Sequence, residues 1–141
     1  MLGEENYVTS ATDDIVISAC FKELSEDEKD RENRDKFVFG YYLCIENNSS
    51  ETIQLVGKHW NITDAKGNSF CDDSFGFKGE IPTLEPGEYY EFSSVAPIST
   101  PSAVFYGSCK VVKESRGVME DVRVPTFLLG AVPEEISRAM N

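Results

Sequence analysis

The sequence predicts an all-β domain, an antiparallel β-sandwich of the immunoglobulin or fibronectin-III type. Three observations carry the prediction. In residues 37–45, FVFGYYLCI, the positions Phe37, Phe39, Tyr41, Leu43 and Ile45 are all apolar or aromatic, while the intervening ones are mixed. A period of two puts the first set on one face of a sheet, and that face must be buried. Turn signals then recur roughly every 8–15 residues, which divides the chain into about seven or eight short strands. Finally, no long segment repeats its apolar residues at the helical period, so a parallel sheet with helical crossovers is disfavoured.

The elements follow in chain order. Residues 1–13 are mostly polar and read as a flexible N-terminal tail. Ile15–Phe21, IVISACF, reads as the first strand. Lys22–Lys36 carries SEDEKDRENRDK and has no apolar residue after Leu24, so it reads as a solvated loop. The alternating strand 37–45 comes next, and Asn47-Asn48-Ser49-Ser50 supplies turn-forming side chains that bond their own backbone. Ile53, Leu55 and Val56 resume the apolar run, and Trp60 and Ile62 are assigned to the strand after it. Asp64-Ala65-Lys66-Gly67 closes a hairpin, with Gly67 supplying a left-handed position. Ser74–Gly79 reads as an irregular surface loop. Leu84-Glu85-Pro86-Gly87-Glu88 places Pro-Gly at the centre of a type II turn. Residues 89–95 alternate again, with Tyr90 and Phe92 on one face. Residues 104–112 and 122–129 are the last two strands, and Pro125 confines the final one to an edge or a bulge. Residues 133–138 have the composition of a short helix. The domain is thus expected over 14–133, with 134–141 a C-terminal tail or short helix.

Composition narrows the function. The chain has 141 residues, 40% of them hydrophobic and 11% aromatic, enough for one core. Twenty-five acidic residues against thirteen basic ones give a net charge of −12. That balance opposes nucleic-acid binding, which depends on Lys and Arg at phosphates. No apolar run approaches the roughly 20 residues that span a bilayer. The first residues, MLGEE, are acidic and lack the apolar run of a secretory signal. The expectation is therefore a cytoplasmic protein with no membrane partner. Cys20, Cys44, Cys71 and Cys109 form no CxxC pair and read as reduced thiols. Asn47, Asn48 and Asn61 head chance glycosylation sequons.

Candidate chemistry is sparse. His59 is the sole histidine, and no serine sits in a nucleophile elbow. Asp72-Asp73, read as part of a loop, form a weak candidate for a divalent cation, since loop carboxylates suit hard ions. Their adjacency argues against an acid/base dyad, because neighbouring side chains on a strand diverge. Ser74-Phe75-Gly76-Phe77-Lys78-Gly79 has the spacing of a dinucleotide glycine motif. Pro82 and Pro86 bar the helix that such a site requires. An anion held by loop N–H groups and Lys78 stays open.

The order of motifs resembles the ApaG family, also designated DUF525 or CorD. The residues that carry it are Phe39–Asn47 (FGYYLCIEN), Gln54–Gly67 (QLVGKHWNITDAKG), Gly76–Ser94 (GFKGEIPTLEPGEYYEFSS) and Val124–Leu129 (VPTFLL). The ordered likeness runs from about Ile15 to Pro133. Ser74 stands where the family has the first loop glycine, Phe77-Lys78 where it has Val-Val, and Lys58 where it has arginine. Ala103, Phe105 and Cys109 replace glycine, methionine and tyrosine, which marks a divergent member. The resemblance implies the same sandwich. It associates the family with magnesium and cobalt homeostasis and dinucleoside-polyphosphate metabolism in bacteria, and with appended protein-interaction modules in eukaryotes.

The expectation for function is a non-enzymatic binding domain, without cofactor, that recognises a protein partner. Two alternatives stand beside it. One is a phosphate- or nucleotide-binding protein using Lys58, Ser74, Gly76, Lys78 and Gly79. The other is a divalent-cation protein using Asp72 and Asp73.

Overall fold

The structure, a computed structural model, describes residues 7–22, 37–98 and 100–130. Nine strands occur among them: β1 Val8–Thr12, β2 Ile15–Lys22, β3 Phe37–Asn47, β4 Ile53–Asp64, β5 Ser69–Phe75, β6 Thr83–Leu84, β7 Tyr89–Ile98, β8 Ser102–Lys113 and β9 Met119–Gly130. They form two antiparallel sheets, β1-β2-β3-β7 and β5-β4-β8-β9, with β6 added to the N-terminal end of β4. The two sheets pack as the predicted sandwich.

Alternation builds the core. Tyr41, Leu43 and Ile45 are buried, and Phe39 packs against them partly covered. Ile15, Ile17 and Ala19 of β2 fill the same layer, opposite residues Asn47, Ile45 and Leu43 in register. Trp60 is 1% exposed and stands among Tyr41, Phe77, Phe92 and Phe105, with ring centroids 5.8, 6.0, 5.3 and 5.5 Å away. Its Nε1–H has no hydrogen-bond partner among the described residues. The Cys109 sulfur is a polar neighbour, but a weak acceptor whose geometry does not make a bond.

Four expectations are corrected here. Residues 8–12 are not a tail: they pair with β2 from Val8↔Ala19 to Thr12↔Ile15. Asp13 at φ 52 turns the two-residue hairpin, a conformation that aspartate tolerates better than most residues. Secondly, Ile53–Asp64 is one strand rather than two. A bulge between Leu55 and Gly57 inserts Val56 as the extra residue against β8. The bulge switches which parity faces inward, so Ile53 and Leu55 are buried before it and Lys58, Trp60 and Ile62 after it. Thirdly, Asp72-Asp73 lie within β5, not on a loop. Fourthly, the glycine segment is a tight turn whose Phe77 is a core residue, 0% exposed. The solvated loop expected over 22–36 falls, after Lys22, outside the described residues, as do residues 1–6 and the helix expected at 133–138.

Other turns agree with the sequence. Gly87 has φ +88 and Glu88 N–H donates to Glu85 O at 2.9 Å, closing the Pro-Gly turn. Asp64 caps its own hairpin by accepting from Lys66 and Asn68 N–H groups, both at 2.9 Å. Pro125 sits in the last strand of its sheet, where β9 carries an extra residue between the Phe105↔Phe127 and Gly107↔Val124 pairs. Asn47 is fully buried. Its amide donates to Glu51 O and Leu84 O, and its Oδ1 accepts from Ser49. That side chain is structural and closed to glycosylation in the folded state.

Candidate functional site

Strand β5 has β4 on one side and, among the described residues, no strand on the other. Its hydrophobic pattern is weak, and six of its seven residues are exposed. Alternation along it separates the two acids. Asp72 turns inward, where its Oδ2 lies 3.8 Å from Lys58 Nζ. Asp73 turns outward, 3.5 Å from His59 Nδ1. The pair therefore does not converge on a point where a cation could be shared. Among the described residues no group of three or more His, Cys, Asp or Glu side chains has metal-holding geometry.

Lys58 occupies an inward position that a core would normally give to an apolar residue. It is 6% exposed. Its ammonium lies 5.0, 5.3 and 5.6 Å from the ring centroids of Phe92, Phe77 and Trp60. A buried cation costs several kcal/mol unless it is compensated. Here three aromatic rings and the Asp72 carboxylate supply the compensation. Ser74 Oγ donates to Asp72 Oδ1 at 2.8 Å and fixes that carboxylate. The Tyr41 hydroxyl faces the same cluster. Burial pushes it up to about 12, a hydrogen bond with Ser94 works against that, and the Asp72 charge adds to it.

The glycine turn caps this cluster. Val56, the bulged residue, would leave its carbonyl unpaired, and Gly76 N–H donates to it at 2.7 Å. Gly76 has φ +78, and a Cβ there would stand 2.8 Å from Glu80 O. Phe77 and Glu80 exchange backbone hydrogen bonds of 2.7 and 3.1 Å. Between them Lys78 and Gly79 have φ 51 and 85, the positive pair of a type I′ turn. The turn drives Phe77 into the core beneath it. Lys78 Nζ donates to Ser93 O of β7 at 2.6 Å and lies 5.2 Å from the Phe92 centroid. The turn thereby ties one sheet to the other.

The structure brings Lys58, Asp72, Ser74, Gly76, Lys78 and Gly79 into one region and sends Asp73 to the opposite face of β5. The arrangement is poor for chemistry and for phosphate. The N–H groups of Gly76, Phe77 and Glu80 are all spent on backbone carbonyls. Among the described residues His59 has no serine or cysteine bonded to it, and Cys109 is buried with its thiol pushed up to about 12 by burial. Four residues of this region escaped the sequence reading. Phe77 was hidden between two glycines. Ser93 acts through its carbonyl, which no sequence pattern marks. Phe70 and Phe75 are 47% and 72% exposed, and their strand lacks the alternation that would have drawn attention to it.

No helix among the described residues is long and apolar enough to cross a membrane. Comparison with known proteins agrees with the geometry. The ApaG domain family (DUF525) matches residues 27–119. Protein ApaG of Brucella canis is 40% identical over 128 residues, covering 91% of this chain and 93% of that one. Protein ApaG of Rhizobium leguminosarum bv. trifolii is 37% identical over 116 residues, covering 82% and 85%. Two crystal structures share the fold. A structural-genomics target superposes with a TM-score of 0.74 at 27% identity, covering 85% of this chain and 89% of its own. The putative ApaA protein of Bordetella pertussis gives 0.70 at 26% identity, covering 91% and 97%. The glycine turn, the Trp60 strand and the Pro-Gly turn lie within the matched segment, and the chain belongs to the ApaG family.

Proposed function

We propose that this chain is a non-enzymatic recognition module that takes up an extended segment of a partner protein along β5. The observation that carries the reading is the edge of β5, unpaired among the described residues, with Phe70 and Phe75 exposed on it. An unpaired edge offers N–H and C=O groups to an added strand, and side chains on the two faces give selectivity. Because the strand alternates, Phe70 shares a face with Asp72, and Phe75 shares the other with Asp73. Glu80 and Glu91 are exposed on the turn and on β7. The partner segment is therefore apolar with basic residues. The thiols of Cys44, Cys71 and Cys109, none of them in a disulfide among the described residues, support a reducing, cytoplasmic setting for the encounter.

Affinity capture followed by amide hydrogen exchange tests this. The expected result is slowed exchange at residues 69–75 in the complex, and loss of capture by the Phe70→Glu/Phe75→Glu variant at unchanged melting temperature. Protection elsewhere, or capture that survives the double substitution, refutes it.

A second reading, anion binding at the glycine turn, draws on Lys58 and Lys78 approaching the same Phe92 ring. Against it stand the committed N–H groups, the Lys78 bond to Ser93 O and the Asp72 carboxylate beside Lys58. Titration with pyrophosphate and ATP at physiological salt separates the two. Submicromolar binding abolished by Lys78→Ala would place the anion site first.

A further inference from the structure

At the far edge of the second sheet lies a groove of about 790 Å³. Strand β1 forms one wall, and the outer residues of β8 and β9 form the rest. Its construction centres on Arg123. Ser10 Oγ donates to Arg123 O at 2.7 Å, and Arg123 N–H donates to Thr12 Oγ1 at 3.2 Å. Both backbone groups of Arg123 are thus held by β1 side chains, which fixes the root of its side chain. The guanidinium itself is exposed and has no ion pair or hydrogen bond among the described residues. This is unusual within its sheet. Lys58, Lys110 and Lys113 each pair with a carboxylate there. Asp121, on the same face of β9 as Arg123, is engaged by Lys110. The hydroxyls of Ser108 and Thr126 line the groove and also lack partners among the described residues. Tyr106 lines it as well, 40% exposed.

We propose that this groove binds a monocarboxylate, whose two oxygens pair with the Arg123 guanidinium fork while its organic body lies against Tyr106. The volume falls in the range of small-ligand sites, roughly 300–1,000 Å³. Arginine presents parallel N–H groups that fit a carboxylate bidentately. Ser108 and Thr126 can each donate one further bond. Lys110 is matched by Asp121, so Arg123 is the one uncompensated charge among the lining residues, and in a chain of net charge −12 it neutralises one negative charge with little left to attract a second. The site thus selects a monoanion over a phosphate dianion. The carboxylate belongs either to a free organic acid or to the C-terminus of a peptide.

The test is a titration of the full chain followed by amide and guanidinium NMR shifts. The probes are hydrocinnamate, an N-acetylated pentapeptide with a free C-terminus, the same peptide as its C-terminal amide, and inorganic phosphate. Both carboxylates should shift Ser108, Arg123 and Thr126, and the peptide amide should not. Arg123→Gln should weaken carboxylate binding about tenfold or more, and Arg123→Lys should lose part of it, because the fork is gone but the charge remains. Tighter binding of the peptide acid assigns a protein chain end, and tighter binding of hydrocinnamate assigns a free acid. The proposal fails if phosphate binds best, if the amide binds as well as the acid, if Arg123→Gln changes nothing at an unchanged melting temperature, or if no carboxylate shifts these residues at millimolar concentration.

Discussion

The two edges of the β5-β4-β8-β9 sheet are treated in opposite ways. At the β9 edge, β1 crosses over from the other sheet. Ser10 and Thr12 bond the Arg123 backbone, and Asp13 reaches Lys113 at 3.4 Å. At the β5 edge no strand crosses among the described residues. Ties between the sheets there come from the aromatic cluster of Trp60, Phe77 and Phe92 and from Lys78 on Ser93 O. One edge is stitched by side chains, and the other has two exposed phenylalanines and no paired strand among the described residues. Open edges invite added strands, and proteins ordinarily blunt them. The contrast teaches that β5 is held in place from within, by its turn and by Asp72, with no partner strand among the described residues on its outer side.

The largest test of that internal support is Trp60, which stands between β5 and β8 in register with Asp72 and Gly107. Trp60→Ala should cost about 3–5 kcal/mol in urea denaturation, as for other large aromatic truncations. A melting curve that does not move would mean that the open edge is supported by something other than this aromatic core.

Gly107 comes next. It has φ +147, and a Cβ there would stand 2.1 Å from His59 O and 2.9 Å from the Trp60 Cα. Backbone must move to admit it. Gly107→Ala should cost about 1–3 kcal/mol as an overpacking change. Gly67→Ala, at φ +88 with nothing within 4 Å, should cost less, since it meets strain but no clash. Equal losses would mean that the close approach of β4 and β8 is not tight.

Alkaline pH probes the buried hydroxyl and thiol on the β5 side of the core. Burial raises Cys109 from 9.0 to about 12 and Tyr41 from 10.0 to about 12. Both groups ionise in the unfolded chain before they do so in the folded one. Their contribution is complete below pH 9 and is lost as pH rises from about 9 to about 12. The melting temperature should fall across that window, and Cys109→Ala should flatten the part that begins near pH 9. An unchanged slope in that variant would assign the loss elsewhere.

The smaller effects compare the edges directly. Thr12→Ala and Ser10→Ala should each cost about 0.5–1.5 kcal/mol, the usual net value of one hydrogen bond. Phe75→Ser, 72% exposed in the wild type, should stay within about 0.5 kcal/mol of neutral. A large loss from Phe75→Ser would show that the β5 edge is covered rather than open.

Sequence alone determined the fold class, because alternation is a local property. Tyr41, Leu43 and Ile45 share a face whatever they pack against, and a Pro-Gly pair makes its turn from its own φ preferences. Pro125 likewise announced an edge or a bulge, since it has no N–H to give to a ladder. The family was legible too, because its motifs are ordered runs of neighbours. The candidate site was half legible. Its residue types were visible, but their meeting was not. Lys58 faces inward only because the Val56 bulge switches the parity of β4, and that bulge exists against β8 and is satisfied by Gly76, twenty residues on. Residues 8–12 become a strand only by pairing with β2, since half-polar sequence has no core face of its own to declare. Phe77 enters the core because Lys78 and Gly79 reverse the chain above it. Whether an edge is covered or open is likewise not written in the edge strand. It depends on which distant segment crosses it, and that is a property of the packed molecule.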